Sequence, residues 1–145
     1  MTIANVLKEK GSDVISVAPE TPMAEVARII SSRRIGAVVV LEPSGRLTGI
    51  LSERDVVKCL AERGPAILDL AARDLMTRDV TMVAPETPVD LAMEIMDKGY
   101  FRHLPVCTHE GKLIGIISIR DLVKYRIMLH QHDVESLKAY VTRMA

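Results

Sequence analysis

Tryptophan is absent from this 145-residue chain, and Phe, Trp and Tyr together supply only 3% of it. So few rings give no stacking platform for single-stranded nucleic acid. Neither sign of charge is in excess, with 19 Lys and Arg against 19 Asp and Glu. Without a basic surplus the chain is poorly equipped to hold DNA or RNA by its phosphates, so no nucleic-acid partner is expected. Apolar runs such as Ala37–Leu41 and Ile114–Ile117 are far too short to span a bilayer, so no membrane partner is expected either. The N-terminus has no basic stretch ahead of an apolar one, which predicts no signal peptide and a cytoplasmic location. Two cysteines, Cys59 and Cys107, make neither a disulfide framework nor a metal spacing and read as small buried apolar residues. No Ser-His-Asp order, paired-carboxylate site or metal motif stands out, so no enzyme activity and no catalytic cofactor are expected.

What the chain does have is an internal repeat. Val14–Leu60 lies over Val80–Arg126 at a constant offset of 66, without a gap, and 18 of the 47 pairs are identical. Val17-Ala18-Pro19-Glu20-Thr21-Pro22 matches Val83-Ala84-Pro85-Glu86-Thr87-Pro88. Gly49-Ile50, Ser52, Arg54 and Asp55 match Gly115-Ile116, Ser118, Arg120 and Asp121. The chain is a tandem duplication.

Each unit reads β-α-β-β-α. A short extended piece (Val14–Val17; Val80–Val83) is stopped by Pro19 or Pro85. Thr21 and Thr87 read as helix N-caps, with Pro22 and Pro88 at the first helical position. Helical spacing follows at Met23, Val26, Ala27, Ile29 and Ile30, and at Leu91, Ala92, Ile95 and Met96. Two apolar runs joined by a Gly-containing turn then form a hairpin, and a second helix starts at Ser52 or Ser118. The near-continuous apolar character of the hairpins suits sheets covered on both faces. One unit is too small to cover its own, so the two are expected to share a core. Residues 3–8 read as a short helix. After Arg126, Val134, Leu137, Tyr140, Val141 and Met144 make a helical stripe that either packs on its own domain or joins a subunit interface.

Gly49–Asp55 and Gly115–Asp121 are the sharpest local signals. Ser at the N-cap and Asp three residues on make a capping box, which by itself explains both residues. The same geometry suits a ligand. A helix N-terminus attracts phosphate, a Ser hydroxyl can donate to it, Arg adds charge, and Asp can accept from vicinal ribose hydroxyls.

These endings, the β-α-β-β-α repeat and the strand Arg102-His103-Leu104-Pro105-Val106 together resemble the CBS domain family over roughly residues 12–128. The resemblance implies an α/β (α+β) fold in which two CBS units, 8–63 and 73–130, pack as a pseudo-twofold Bateman module, with a short N-terminal helix and a C-terminal helical tail over 131–145. It implies regulation by an adenosine nucleotide (AMP, ADP, ATP or NAD), a homodimer, and an unknown regulated protein. It also implies two clefts. One would use Ser118, Arg120 and Asp121 with Asp13, Ile15, Ile35, Gly36, Ala37 and Ile116. The other would use Ser52, Arg54 and Asp55 with Asp79, Thr81, Phe101, Arg102, His103 and Ile50. Asp would hold ribose, Ser and basic groups phosphate, and the extended segments adenine. Arg102 and His103 favour the second cleft for a di- or triphosphate or a dinucleotide, unless Arg102 merely pairs with a surface carboxylate. A structural adaptor dimer with vestigial clefts is the alternative function.

Overall fold

The computed structural model describes residues 1–144, Met144 by its backbone alone. Its elements are α1 (Ile3–Lys10), β1 (Ser16–Val17), α2 (Met23–Arg33), β2 (Ala37–Leu41), β3 (Leu47–Ser52), α3 (Glu53–Arg63), a 3₁₀ turn (Pro65–Asp69), α4 (Ala72–Leu75), α5 (Val89–Gly99), β4 (His103–Cys107), β5 (Leu113–Ser118) and α6 (Ile119–Met144). The offset of 66 carries α2 onto α5, β2 onto β4 and β3 onto β5 residue for residue. Even the irregularities repeat. Both hairpins shift register at Val40/Leu41 and Val106/Cys107, and both first helices end on a left-handed residue, Arg34 or Tyr100. In the first unit β1 runs parallel to β2, and β2 antiparallel to β3. In the second, the matching extended piece keeps only a parallel bridge from Val83 to Val106.

Instead of one shared core, the structure has two, because each unit is closed by a helix lying outside it in sequence. Ile3, Val6 and Leu7 of α1 pack with Val83, Val89, Ala92, Met96, Leu104, Val106, Ile117 and Leu122 of the second unit. Ala72, Leu75 and Met76, at the linker helix α4, close the first unit's core over Val17, Met23, Val26, Ile30, Val38, Val40 and Leu51. The two dockings use equivalent backbone bonds. Ile3 and Ala4 donate to Thr87 and Pro85 carbonyls, and Ala72 and Arg73 donate to those of Thr21 and Pro19. The motif glycines permit the contact. A Cβ on Gly115 would lie 2.8 Å from Leu7 Cδ2, and one on Gly49 would lie 2.4 Å from Met76 Sδ. Leu91 is exposed; the buried face of α5 is Val89, Ala92 and Met96.

Thr21 and Thr87 are not the caps their positions suggest. Pro22 and Pro88 hold the N-cap place, and each Thr hydroxyl accepts from Ala18 or Ala84 N–H at 3.1 Å, closing the turn before the helix. The first free helix donors find backbone instead: Met23 N–H meets the Leu70 carbonyl and Val89 N–H that of Met1.

The C-terminal tail is not a separate helix, since α6 runs unbroken from Ile119 to Met144. Its stripe does not pack on the domain: Val134, Leu137, Tyr140 and Val141 are exposed, while the Met144 side chain and Ala145 lie outside the described residues. Cys107 is buried and Cys59 half-buried, both reduced. No helix is long and apolar enough to cross a membrane among the described residues.

Candidate functional site

Each β3–α3 or β5–α6 junction hands a buried strand to a helix N-terminus, and the capping box forms at both. Ser52 Oγ accepts from Asp55 N–H at 3.1 Å while Asp55 Oδ2 accepts from Ser52 N–H at 2.8 Å. Ser118 and Asp121 repeat the pair at 3.1 and 2.8 Å. The capping role and a ligand role are therefore compatible. The box uses only Oδ2, and Oδ1 of either Asp has no hydrogen-bond partner among the described residues. Each Ser hydroxyl proton likewise remains free to donate.

Two cavities open at these junctions, each lined by both units. All nine residues grouped above with Asp121 line the larger, of about 1080 Å³. All nine grouped with Asp55 line the smaller, of about 320 Å³. Arg102 and His103 do not belong to one cleft. With Gly36 and Glu53 they line both, because β4 begins where the cavities meet. A Cβ on Gly36 would lie 2.5 Å from His103 Nε2, so the missing side chain makes room for that imidazole. Burial lowers the His103 pKa below its ordinary value despite the nearby Asp121 and Glu53 carboxylates. His103 thus brings a neutral ring to the clefts at neutral pH.

The charge balance consequently runs opposite to the sequence expectation. The larger cleft carries Lys10, Arg34, Arg102, Arg120 and Lys124 against Asp13, Glu53 and Asp121. The smaller has Arg54 and Arg102 against Glu53, Asp55 and Asp79, and Arg54 is tied to the Tyr100 carbonyl at 3.3 Å. Lys10, Arg34 and Lys124 escape sequence reasoning. Lys10 precedes the repeat and arrives only because α1 docks on the opposite unit. Lys124 sits one helical turn beyond Arg120, a spacing that could have marked it.

Lys10 is the most engaged cation. Its Nζ donates to the Ile116 carbonyl and to Asp121 Oδ2, both at 2.7 Å. Burial pushes the Asp121 carboxyl up, but Lys10 and the Ser118 N–H outweigh it and hold the group below its usual range. Among the described residues no cluster of His, Cys, Asp and Glu could hold a metal ion.

The family model described as CBS domain matches residues 7–62 and 72–127. The chain belongs to the CBS domain family. It carries two tandem CBS domains, and solved CBS proteins share its fold. A CBS-domain protein from Agrobacterium tumefaciens is 42% identical, superposes with a TM-score of 0.83, and is matched over 86% of this chain and 92% of its own. One from Pyrobaculum aerophilum, solved with AMP, is 28% identical with a TM-score of 0.78 over 90% and 97%. A mitochondrial CBS domain-containing protein of Arabidopsis thaliana is 30% identical over 97% of this chain and 71% of its own length.

Proposed function

We propose that this CBS pair is a regulatory module that binds an adenosine nucleotide (AMP, ADP, ATP or NAD) in its inter-unit clefts. It performs no chemistry itself and passes occupancy to a regulated protein through the geometry of a homodimer in the cytoplasm. The observation that carries the reading is the pair of capping-box carboxylates, each with Oδ1 free at a cleft wall next to a helix N-terminus and an arginine. The related Pyrobaculum aerophilum protein, solved with AMP, supports an adenosine ligand.

In this reading Asp121 and Asp55 accept from ribose hydroxyls, and Ser118 and Ser52 donate to phosphate. Ile15 and Ile116, or Ile50 and Phe101, face adenine. The larger cleft, with its cationic surplus, takes the ligand with more phosphate. Exposed Val57, Leu60, Val123 and Ile127 on α3 and α6 give the homodimer its apolar contact, since they have no cover within one chain.

A thermal-shift series with adenosine, AMP, ADP, ATP and NAD tests the proposal. A ligand at a hundredfold excess over Kd adds about 2.7 kcal/mol of stability. No shift with any of them would leave the clefts vestigial and the protein an adaptor acting through its surface. Consumption of a nucleotide would make it an enzyme.

A further inference from the structure

Helix α6 has two different faces along its first half. Leu122 is buried, Tyr125 packs against the second core, and Leu129 is half-buried. Val123 and Ile127 on the other side are exposed. Beyond Leu129 the domain ends beneath the helix, and every residue from His130 to Arg143 is exposed. This stretch lies outside the residues matched by the family model, which stop at 127. A lone helix of this length in water is marginal, so the segment needs a partner to hold its shape.

Five of the exposed apolar residues, Val123, Ile127, Val134, Leu137 and Val141, fit a period of 3.5; Met128 and Tyr140 fall outside it. Ile127, Val134 and Val141 fall seven apart, as do Val123, His130 and Leu137. In heptad terms the first series is a and the second d. β-branched residues at a with Leu at d favour two parallel strands; here the a positions Ile127, Val134 and Val141 are all β-branched, and of the d positions Leu137 is the leucine. Asp133 then falls at g and Lys138 at the following e, positions that face each other across a parallel pair, and their charges are opposite. His130 is the one polar residue in the seam, a kind of position that fixes register at a cost in stability.

We propose that the second half of α6 pairs with the same segment of a second copy as a parallel, in-register two-stranded coiled coil. The charge complementarity of Asp133 and Lys138 and the run of seam residues from Val123 onward, apolar but for His130, select that occupant. The inference rests on the homodimer reading and adds an orientation to it: both C-termini leave the dimer on one side. A coil of under three heptads is weak alone. Tethering to paired modules raises the effective concentration of the two strands enough for it to form.

Cysteine cross-linking of the full chain tests it, with light scattering alongside. His130→Cys and Leu137→Cys should each give a disulfide-linked dimer in mild oxidant. Ala139→Cys, on the outer face, and the parent with Cys59 and Cys107 should not. An antiparallel pair can cross-link with itself at only one of the two seam positions, so a dimer at one alone overturns the proposal. Lys138→Glu should cut the Leu137→Cys yield several-fold, and adding Asp133→Lys should restore it. If light scattering gives a dimer but neither seam cysteine links, the coiled coil is wrong and the homodimer stands. A monomer at micromolar concentration overturns both.

Discussion

Asp55 and Asp121 cap their helices with the same bonds at the same distances, yet they face different surroundings. Asp121 is held by Lys10 and stands in a cavity more than three times the volume of the other, with two further cations, Arg34 and Lys124, whose equivalents are Tyr100 and a Lys58 that does not line the smaller cleft. Among the described residues Asp55 has no such partner, and the arginine beside it is already bonded to Tyr100. The duplication supplied equal motifs. The segments outside the motif made the clefts unequal: α1 delivers Lys10 to one, while the segment beyond α4 brings Asp79 to the other. Two such clefts can hold different ligands, or one ligand with different affinities.

The most damaging test of that inequality is to remove each carboxylate in turn. Asp121→Ala should weaken AMP by roughly tenfold to a hundredfold, since hydrogen bonds to a charged acceptor are worth about 1.5–3 kcal/mol. Asp55→Ala should leave the tighter AMP site nearly unchanged. Both lose the carboxylate half of a capping box while the Ser cap remains, so both apo proteins should be less stable by up to about 1 kcal/mol. Calorimetric titration with AMP, beside chemical denaturation without ligand, separates the two effects. Equal losses of affinity would mean that the clefts are equivalent after all.

The exchanged helices give a second comparison, read in stability. Gly49→Ala should cost about 1–3 kcal/mol by overpacking. Its methyl group would lie 3.0 Å from Met76 Cβ, an atom that cannot rotate away. Gly115→Ala meets only terminal methyls of Leu7, which can turn aside, and should cost less. Urea unfolding of both variants decides the order; the reverse order would mean that α1 docks more rigidly than α4.

These glycines show where the sequence was readable and where it was not. The offset of 66 and the hairpins follow from pattern, because a duplicated unit must place equivalent residues equivalently; the residues of both clefts come from the resemblance to the CBS family. Which core each flanking helix completes does not follow. α1 and α4 carry too few apolar residues to announce a partner, and their docking depends on backbone bonds to Thr87, Pro85, Thr21 and Pro19. Lys10 was lost with that step. The Thr caps failed for a related reason: Leu70 and Met1 carbonyls, brought in by the exchange, meet the helix donors that a cap would have met.

A smaller effect is expected at the arginines. Arg120 has no hydrogen-bond partner among the described residues and is free to meet phosphate, whereas Arg54 is engaged. Arg120→Ala should weaken AMP several-fold while adenosine binding holds, because an exposed charge contributes at the low end of charge-assisted bonding. Arg54→Ala should change AMP binding less. A parallel loss for adenosine would place Arg120 away from the phosphate.

The slightest signal should come from His103, which lines both clefts and so tests whether they communicate. Its pKa is lowered by burial from an ordinary 6.5, so the unfolded chain binds the proton more readily than the folded one. Stability therefore rises with pH from the lowered value up to about 6.5 and is level above it; acidification through that window destabilises the fold. Asp121 contributes with the same sign but lower down, since its stabilisation is lost only as pH falls below 3.8 toward its own lowered pKa. The two windows have different upper limits, about 6.5 and 3.8. Urea unfolding between pH 5 and 7.5 should show a slope in the parent and none in His103→Gln. Saturating AMP should flatten the parent slope, because a phosphate beside the ring favours the imidazolium and draws the folded pKa back toward 6.5. Adenosine, without that charge, should leave the slope as it was. A slope unchanged by AMP would put the phosphate out of reach of His103 and leave the wall between the clefts without a part in binding.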